Sequence, residues 1–104
     1  MENIIYIGSE IKLNISINPI GNYTMDDYQF ECEFFCFANR RLTLGKEQMI
    51  RTDENNYVAV LDSRALGAGA LRCKITAYIP DADCEDNLRT EVCMIETGMR
   101  ITNS

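Results

Sequence analysis

Histidine and tryptophan are missing from this chain of 104 residues, and proline occurs twice. Without histidine the commonest general base and metal ligand is gone, so catalysis would fall to lysine or carboxylate bases. Nucleophilic catalysis needs a nucleophile beside an oriented base, and no serine or cysteine has a recognisable motif around it. The chain is read as non-catalytic, with no cofactor. Without tryptophan, the buried Trp and paired cysteines that mark antibody domains cannot apply. Basic residues are also few, 10 against 16 acidic, for a net charge of −6. Nucleic-acid affinity is dominated by cationic contacts to phosphate, so that partner is not expected. The apolar run at residues 4–7 breaks at Gly8, and no signal peptide or membrane span fits the sequence. We therefore expect synthesis and residence inside a cell, or in something assembled inside one, with no membrane partner.

Cysteine, by contrast, occurs five times, at Cys32, Cys36, Cys73, Cys84 and Cys93. Cys32 and Cys36 are four apart on an expected strand, hence ~13 Å apart at strand rise. A disulfide needs Cα atoms within ~7 Å, so these two cannot pair. Cys32, Cys36 and Cys73 fall on inward strand positions, where cysteine acts as a small hydrophobe. The odd count and the missing export signal predict free thiols.

The stretch at residues 61–81 organises the rest. Asp62 or Ser63 can cap one helical turn, and Gly67 stands where a left-handed residue would end it. From Leu71, the residues Leu71, Cys73, Ile75, Ala77 and Ile79 alternate with Arg72, Lys74, Thr76 and Tyr78. That period of two predicts a strand, which Pro80 stops because it has no N–H to donate. The same period predicts a strand on Ile11, Leu13, Ile15 and Ile17. Another has Tyr28, Phe30, Cys32, Phe34 and Cys36 inward and Gln29, Glu31 and Glu33 outward.

A reversal is expected at Asn39, Arg40 and Arg41, with a return strand on Leu42, Thr43 and Leu44. A hairpin loop is expected at residues 53–56, before a strand on residues 57–61. The last substantial strand is expected on residues 89–96, with Val92 and Met94 on one face and Cys93 and Ile95 on the other. Gly98 is expected to break it before a tail that pairs along an edge. Seven or eight short, mainly antiparallel strands with regular turn signals predict a single all-β domain over residues 1–104, an immunoglobulin-like β-sandwich.

Three surface features invite function. Phe35 and Phe37 fall on the otherwise polar face of their strand, next to Arg40 and Arg41. Aromatics and arginine are enriched at interface centres, so these four form a candidate partner-binding patch; the alternative is a ring pair covered by the chain itself. Tyr23, Tyr28, Tyr57 and Tyr78 could line a carbohydrate- or ligand-binding face, or serve as strand packing. The acidic loop at residues 81–86 opens like a calcium loop, but its sixth position is Asp86 rather than glycine and its twelfth is Val92 rather than glutamate. It is read as a solvated loop, with no metal site.

Certain local runs also carry a family likeness. They are Ile11-Lys12-Leu13-Asn14-Ile15 after Gly8-Ser9, Met25-Asp26-Asp27-Tyr28, and Leu66-Gly67-Ala68-Gly69-Ala70-Leu71. Tyr78-Ile79-Pro80-Asp81-Ala82-Asp83 and Leu88-Arg89-Thr90-Glu91 complete the set. In their order the chain resembles small immunoglobulin-like virion proteins of tailed, crAss-like bacteriophages. It is similar to the N-terminal domain of phage baseplate upper proteins. The resemblance implies a non-catalytic virion structural or adaptor protein in head decoration, head fibre or tail and baseplate joining. It implies other virion proteins as partners, a homo-oligomer or multiple copies, and a virion location after synthesis in the bacterial host cytoplasm.

Overall fold

A computed structural model describes residues 3–19, 21–37 and 40–103, and of Phe37 and Arg40 only the backbone. The strands are β1 (Asn3–Tyr6), β2 (Glu10–Ser16), β3 (Gln29–Phe37), β4 (Arg40–Gly45), β5 (Ile50–Arg51), β6 (Asn56–Asp62), β7 (Gly69–Pro80) and β8 (Leu88–Thr102). One helical turn, α1 (Ser63–Leu66), stands between β6 and β7. The protein is all-β, in two sheets: five strands in the order β1-β8-β7-β3-β4, and three in the order β2-β6-β5. Neighbours are antiparallel except β1 and β8, which run parallel with Asn3 opposite Met99 and Tyr6 opposite Thr102.

The inward residues of both sheets form one core. Ile11 and Ile15 of β2 and Tyr57, Ala59 and Leu61 of β6 meet Phe30, Cys32 and Phe34 of β3 and Leu71, Cys73, Ile75 and Ile79 of β7. Phe30 and Tyr57 touch edge to face across the layers, with ring centroids 5.1 Å apart. The period-two readings of β2, β3 and β7 therefore hold, with β7 starting two residues before Leu71.

The chain crosses between sheets twice beside α1. Asp62 caps the turn, its Oδ1 accepting from the Arg64 N–H at 3.0 Å, and Gly67 ends it at φ 79°. Ser63 is fully buried and ties the two crossings together. Its Oγ accepts from the Gly8 N–H at 2.9 Å, and its own N–H donates to the Ser9 carbonyl. Two further crossings meet at Lys46, whose Nζ donates to the carbonyls of Met25 and Tyr28. The reversal expected at Asn39 lies outside the described residues.

β8 departs from expectation in continuing through Gly98 to Thr102 rather than breaking there. Ala70 faces Arg100 and Arg72 faces Glu96, so Leu71 alone stands against Thr97, Gly98 and Met99. This bulge needs the positive φ of Gly98, 77°, and it is closed by the Thr97 hydroxyl donating to the Leu71 carbonyl at 2.9 Å. The tail beyond it pairs on both sides, with the first residues of β7 and with β1.

Candidate interaction surface

Of the candidate patch at Phe35, Phe37, Arg40 and Arg41, the side chains of Phe35 and Arg41 are described, and for Phe35 the covered reading holds. Phe35 is 7% exposed. The guanidinium of its cross-strand partner Arg41 lies 4.4 Å from its ring centroid and ion-pairs with Glu33 at 2.6 Å. On that face the Arg41 guanidinium stacks over the ring as a cation–π pair. Phe35 is thus closed to a partner. Phe37 and Arg40 face each other across the β3–β4 pair, and their side chains lie outside the description.

The tyrosines do not share a face. Tyr28 and Tyr57 are core residues, Tyr23 is exposed, and the Tyr78 hydroxyl donates to Glu31 at 3.4 Å on the outer face of the larger sheet. A shallow depression of about 320 Å³ lies among Tyr23, Tyr28, Pro80, Asp81 and Arg89. Two of its charged groups pair with each other, Arg89 Nη1 with Asp81 Oδ2 at 2.9 Å.

In the acidic loop, Asp81 also accepts from the Asp83 N–H, and its own N–H donates to the Asn87 carbonyl at 2.9 Å. Asp86 and Asn87 take left-handed backbone, φ 56° and 58°, to turn the chain into β8. Among the described residues no three His, Cys, Asp or Glu side chains come together in a way that could hold a metal ion.

All five cysteines are free thiols. A hydrogen bond with Cys73, and then burial, hold the Cys32 thiol well above the usual cysteine range. Burial also raises Cys36, against a smaller opposing effect of Arg100. Cys32 lies in the core and Cys36 packs against it. Cys93 alone is exposed.

The surface that stands out is the first part of β8. Val92 is 59% exposed and Met94 55% on one face; Ile95 is 41% exposed and Cys93 exposed on the other. Val92 and Met94 lie on the outer face of the larger sheet, opposite Thr76 and Lys74; for Cys93 and Ile95, on the inward face, the three-stranded sheet is the cause. It packs over β3 and β7, and its free edge, β2, stops short of β8. Between them runs a groove of about 260 Å³ in which Leu13, Ile15, Phe34, Cys73, Ile75 and Ile95 are joined by Asn14, Ser16, Glu96 and Thr97. On its other side, residues 88–96 have no strand partner among the described residues, since β1 takes the edge only from Met99 onward. Charges bound the strip, and each is held by its own chain. Arg89 pairs with Asp81 and Glu91, and Glu96 with Arg72 at 3.7 Å. The sequence does signal this strip, through apolar residues on both faces of one strand. What it does not signal is that neither face is covered.

No helix among the described residues is long and apolar enough to cross a membrane. Comparison with known proteins finds no family model, no curated protein and no solved structure that matches the chain.

Proposed function

We propose that this chain is a non-catalytic structural or adaptor module that acts through protein–protein contacts, with its eight strands arranged as an immunoglobulin-like sandwich. The observation that carries the reading is the strip at residues 88–96, which combines unpaired backbone with four exposed apolar or thiol side chains in sequence. Such an edge is a template for pairing, and proteins that do not use one usually blunt it with charge, proline or a cover. The absence of histidine and the packing role of the buried thiols support a role without catalysis.

The setting we propose is the virion of a tailed bacteriophage, where the chain would join or decorate other virion proteins in several copies. That setting rests on the sequence likeness in residues 8–15, 25–28, 66–71, 78–83 and 88–91. Quantitative mass spectrometry of particles purified from cultures that make the chain tests it. A fixed stoichiometric number per particle is expected, and absence from washed particles would overturn it. The glycan-binding alternative has only the shallow depression beside Tyr23 in its favour, where Asp81 and Arg89 already satisfy each other.

A further inference from the structure

We propose that the exposed edge of β8 pairs with the same edge of a second copy, antiparallel across a two-fold axis at Cys93. This rests on the protein-contact reading above and names the partner. Of the other edges, β1 and β5 expose Ile4, Tyr6 and Ile50 but are short, four and two residues, and the two longer ones carry polar or charged side chains. β4 begins with Arg40 and Arg41, and β2 presents Glu10, Lys12, Asn14 and Ser16 outward. Residues 92–95 of β8 carry no charge on either face.

The choice of a second copy comes from register. A two-fold axis perpendicular to the sheet keeps each residue on its own face, so only centres on a residue are allowed. Centred on Cys93, Val92 faces Met94 of the second copy and Met94 faces its Val92, while Cys93 faces its own counterpart. Thr90 then faces Glu96 as donor to acceptor, Glu91 lies against Ile95, and no like charges are opposed. Centring on Val92 sets Met94 against Thr90 and Cys93 against Glu91. Centring on Met94 pairs Cys93 with Ile95 but sets Val92 against Glu96 and draws Thr97 and Gly98 of the bulge into the pairing. Parallel in-register pairing stacks Glu91 on Glu91. The Cys93 register therefore gives the best match of apolar and polar pairs.

It uses residues 90–96, which lie wholly within the edge that β1 leaves open. Seven residues span ~24 Å. That is well below the roughly 20–30 residues a side of a standard interface, so the isolated pairing is weak and is reinforced where many copies are held close.

Sedimentation of the purified chain from micromolar to millimolar concentration tests the proposal. A short bis-maleimide applied in parallel reports on Cys93, which should face its counterpart at the axis. Reversible dimerisation is expected, with a Cys93–Cys93 cross-link found by peptide mapping and lost in Cys93→Ser. Val92→Lys should abolish most of the dimer while leaving the melting temperature of the monomer unchanged, because Val92 is exposed. A chain that stays monomeric throughout, or a dimer and cross-link indifferent to Val92→Lys, would overturn the proposal. Uptake of Val92→Lys into particles separates the two readings. A monomeric chain whose uptake is blocked by Val92→Lys loses the second-copy proposal and keeps the protein-contact reading. A monomeric chain whose uptake is unaffected loses both.

Discussion

Tyr57 is the largest of the fully buried side chains, and its hydroxyl has no hydrogen-bond partner among the described residues. Its ring is held edge-on by Phe30, with the Arg51 guanidinium 5.7 Å from its centroid. An unsatisfied buried hydroxyl costs about 1–3 kcal/mol, whereas the ring contributes apolar burial. Tyr57→Phe keeps the ring and removes the hydroxyl, so urea unfolding should show stability unchanged or raised by up to about 1 kcal/mol. A clear loss of stability would mean that the hydroxyl is satisfied by ordered water. At this scale the sequence is readable where a residue's role follows from its own position. Cys32 and Cys73 are buried as their inward places imply, and Gly67 is left-handed as the end of its turn requires. The choice between an exposed and a covered Phe35 was not legible, because the Arg41 guanidinium over its ring arrives from the return strand. Only the register of β3 against β4 places that guanidinium over the ring.

Among the elements, β7 and β8 form the longest pair and divide the labour between them. β7 sits between two neighbours and under the smaller sheet, so its inward side chains belong to the core. β8 before the bulge has one neighbour among the described residues and no cover. The contrast is testable by truncation. Ile75→Ala should cost about 2–5 kcal/mol, because it removes buried methyls and leaves a cavity. Val92→Ala, opposite Thr76 on the exposed face, should stay within about 0.5 kcal/mol. Equal costs in denaturant titrations would mean that Val92 is buried and that the β8 strip is not open in the monomer. Strand periods, the α1 cap and the loop at Asp53 were legible because each is encoded within a few consecutive residues. The exposure of β8 was not. On the Cys93 and Ile95 face it depends on how many strands the opposite sheet has, which no local pattern in residues 88–96 carries. The continuation through Gly98 was hidden for a related reason: a glycine of positive φ makes a bulge in a paired strand and a break in an unpaired one.

The whole molecule is elongated, 49 × 28 × 25 Å, and strongly acidic. Three exposed carboxylates are held by hydrogen bonds within the chain, one across the fold and two within a local turn. Asp26 is held below the ordinary carboxylate value by the hydrogen bond from Arg51, which links the loop before β3 to β5. Asp53 is lowered by the backbone N–H of Asn55 and then by Asn56, and Asp62 by the backbone N–H of Arg64. A depressed carboxylate contributes stability above its unfolded value of 3.8, and that contribution is lost as pH falls through the lower folded value. Melting temperature should therefore be flat with respect to these groups above about pH 5 and fall on acidification below 3.8, least in Asp26→Asn, Asp53→Asn and Asp62→Asn variants. An acid response identical in those variants and the parent would show that the three contacts are not formed in solution. Net charge opposes self-association, yet the two carboxylates within residues 90–96, Glu91 and Glu96, are each paired within the chain. The central claim is that this edge is open in the isolated chain and closed by association. Amide hydrogen exchange, followed residue by residue across a concentration series, tests it most directly. The account predicts that at low concentration alternate amides of residues 90–96 exchange fast, while those bonded to β7 are protected. The fast set should then slow as concentration rises, with the rest of the chain unchanged. Uniform protection of these residues in the dilute monomer, or fast exchange that no concentration slows, would contradict it.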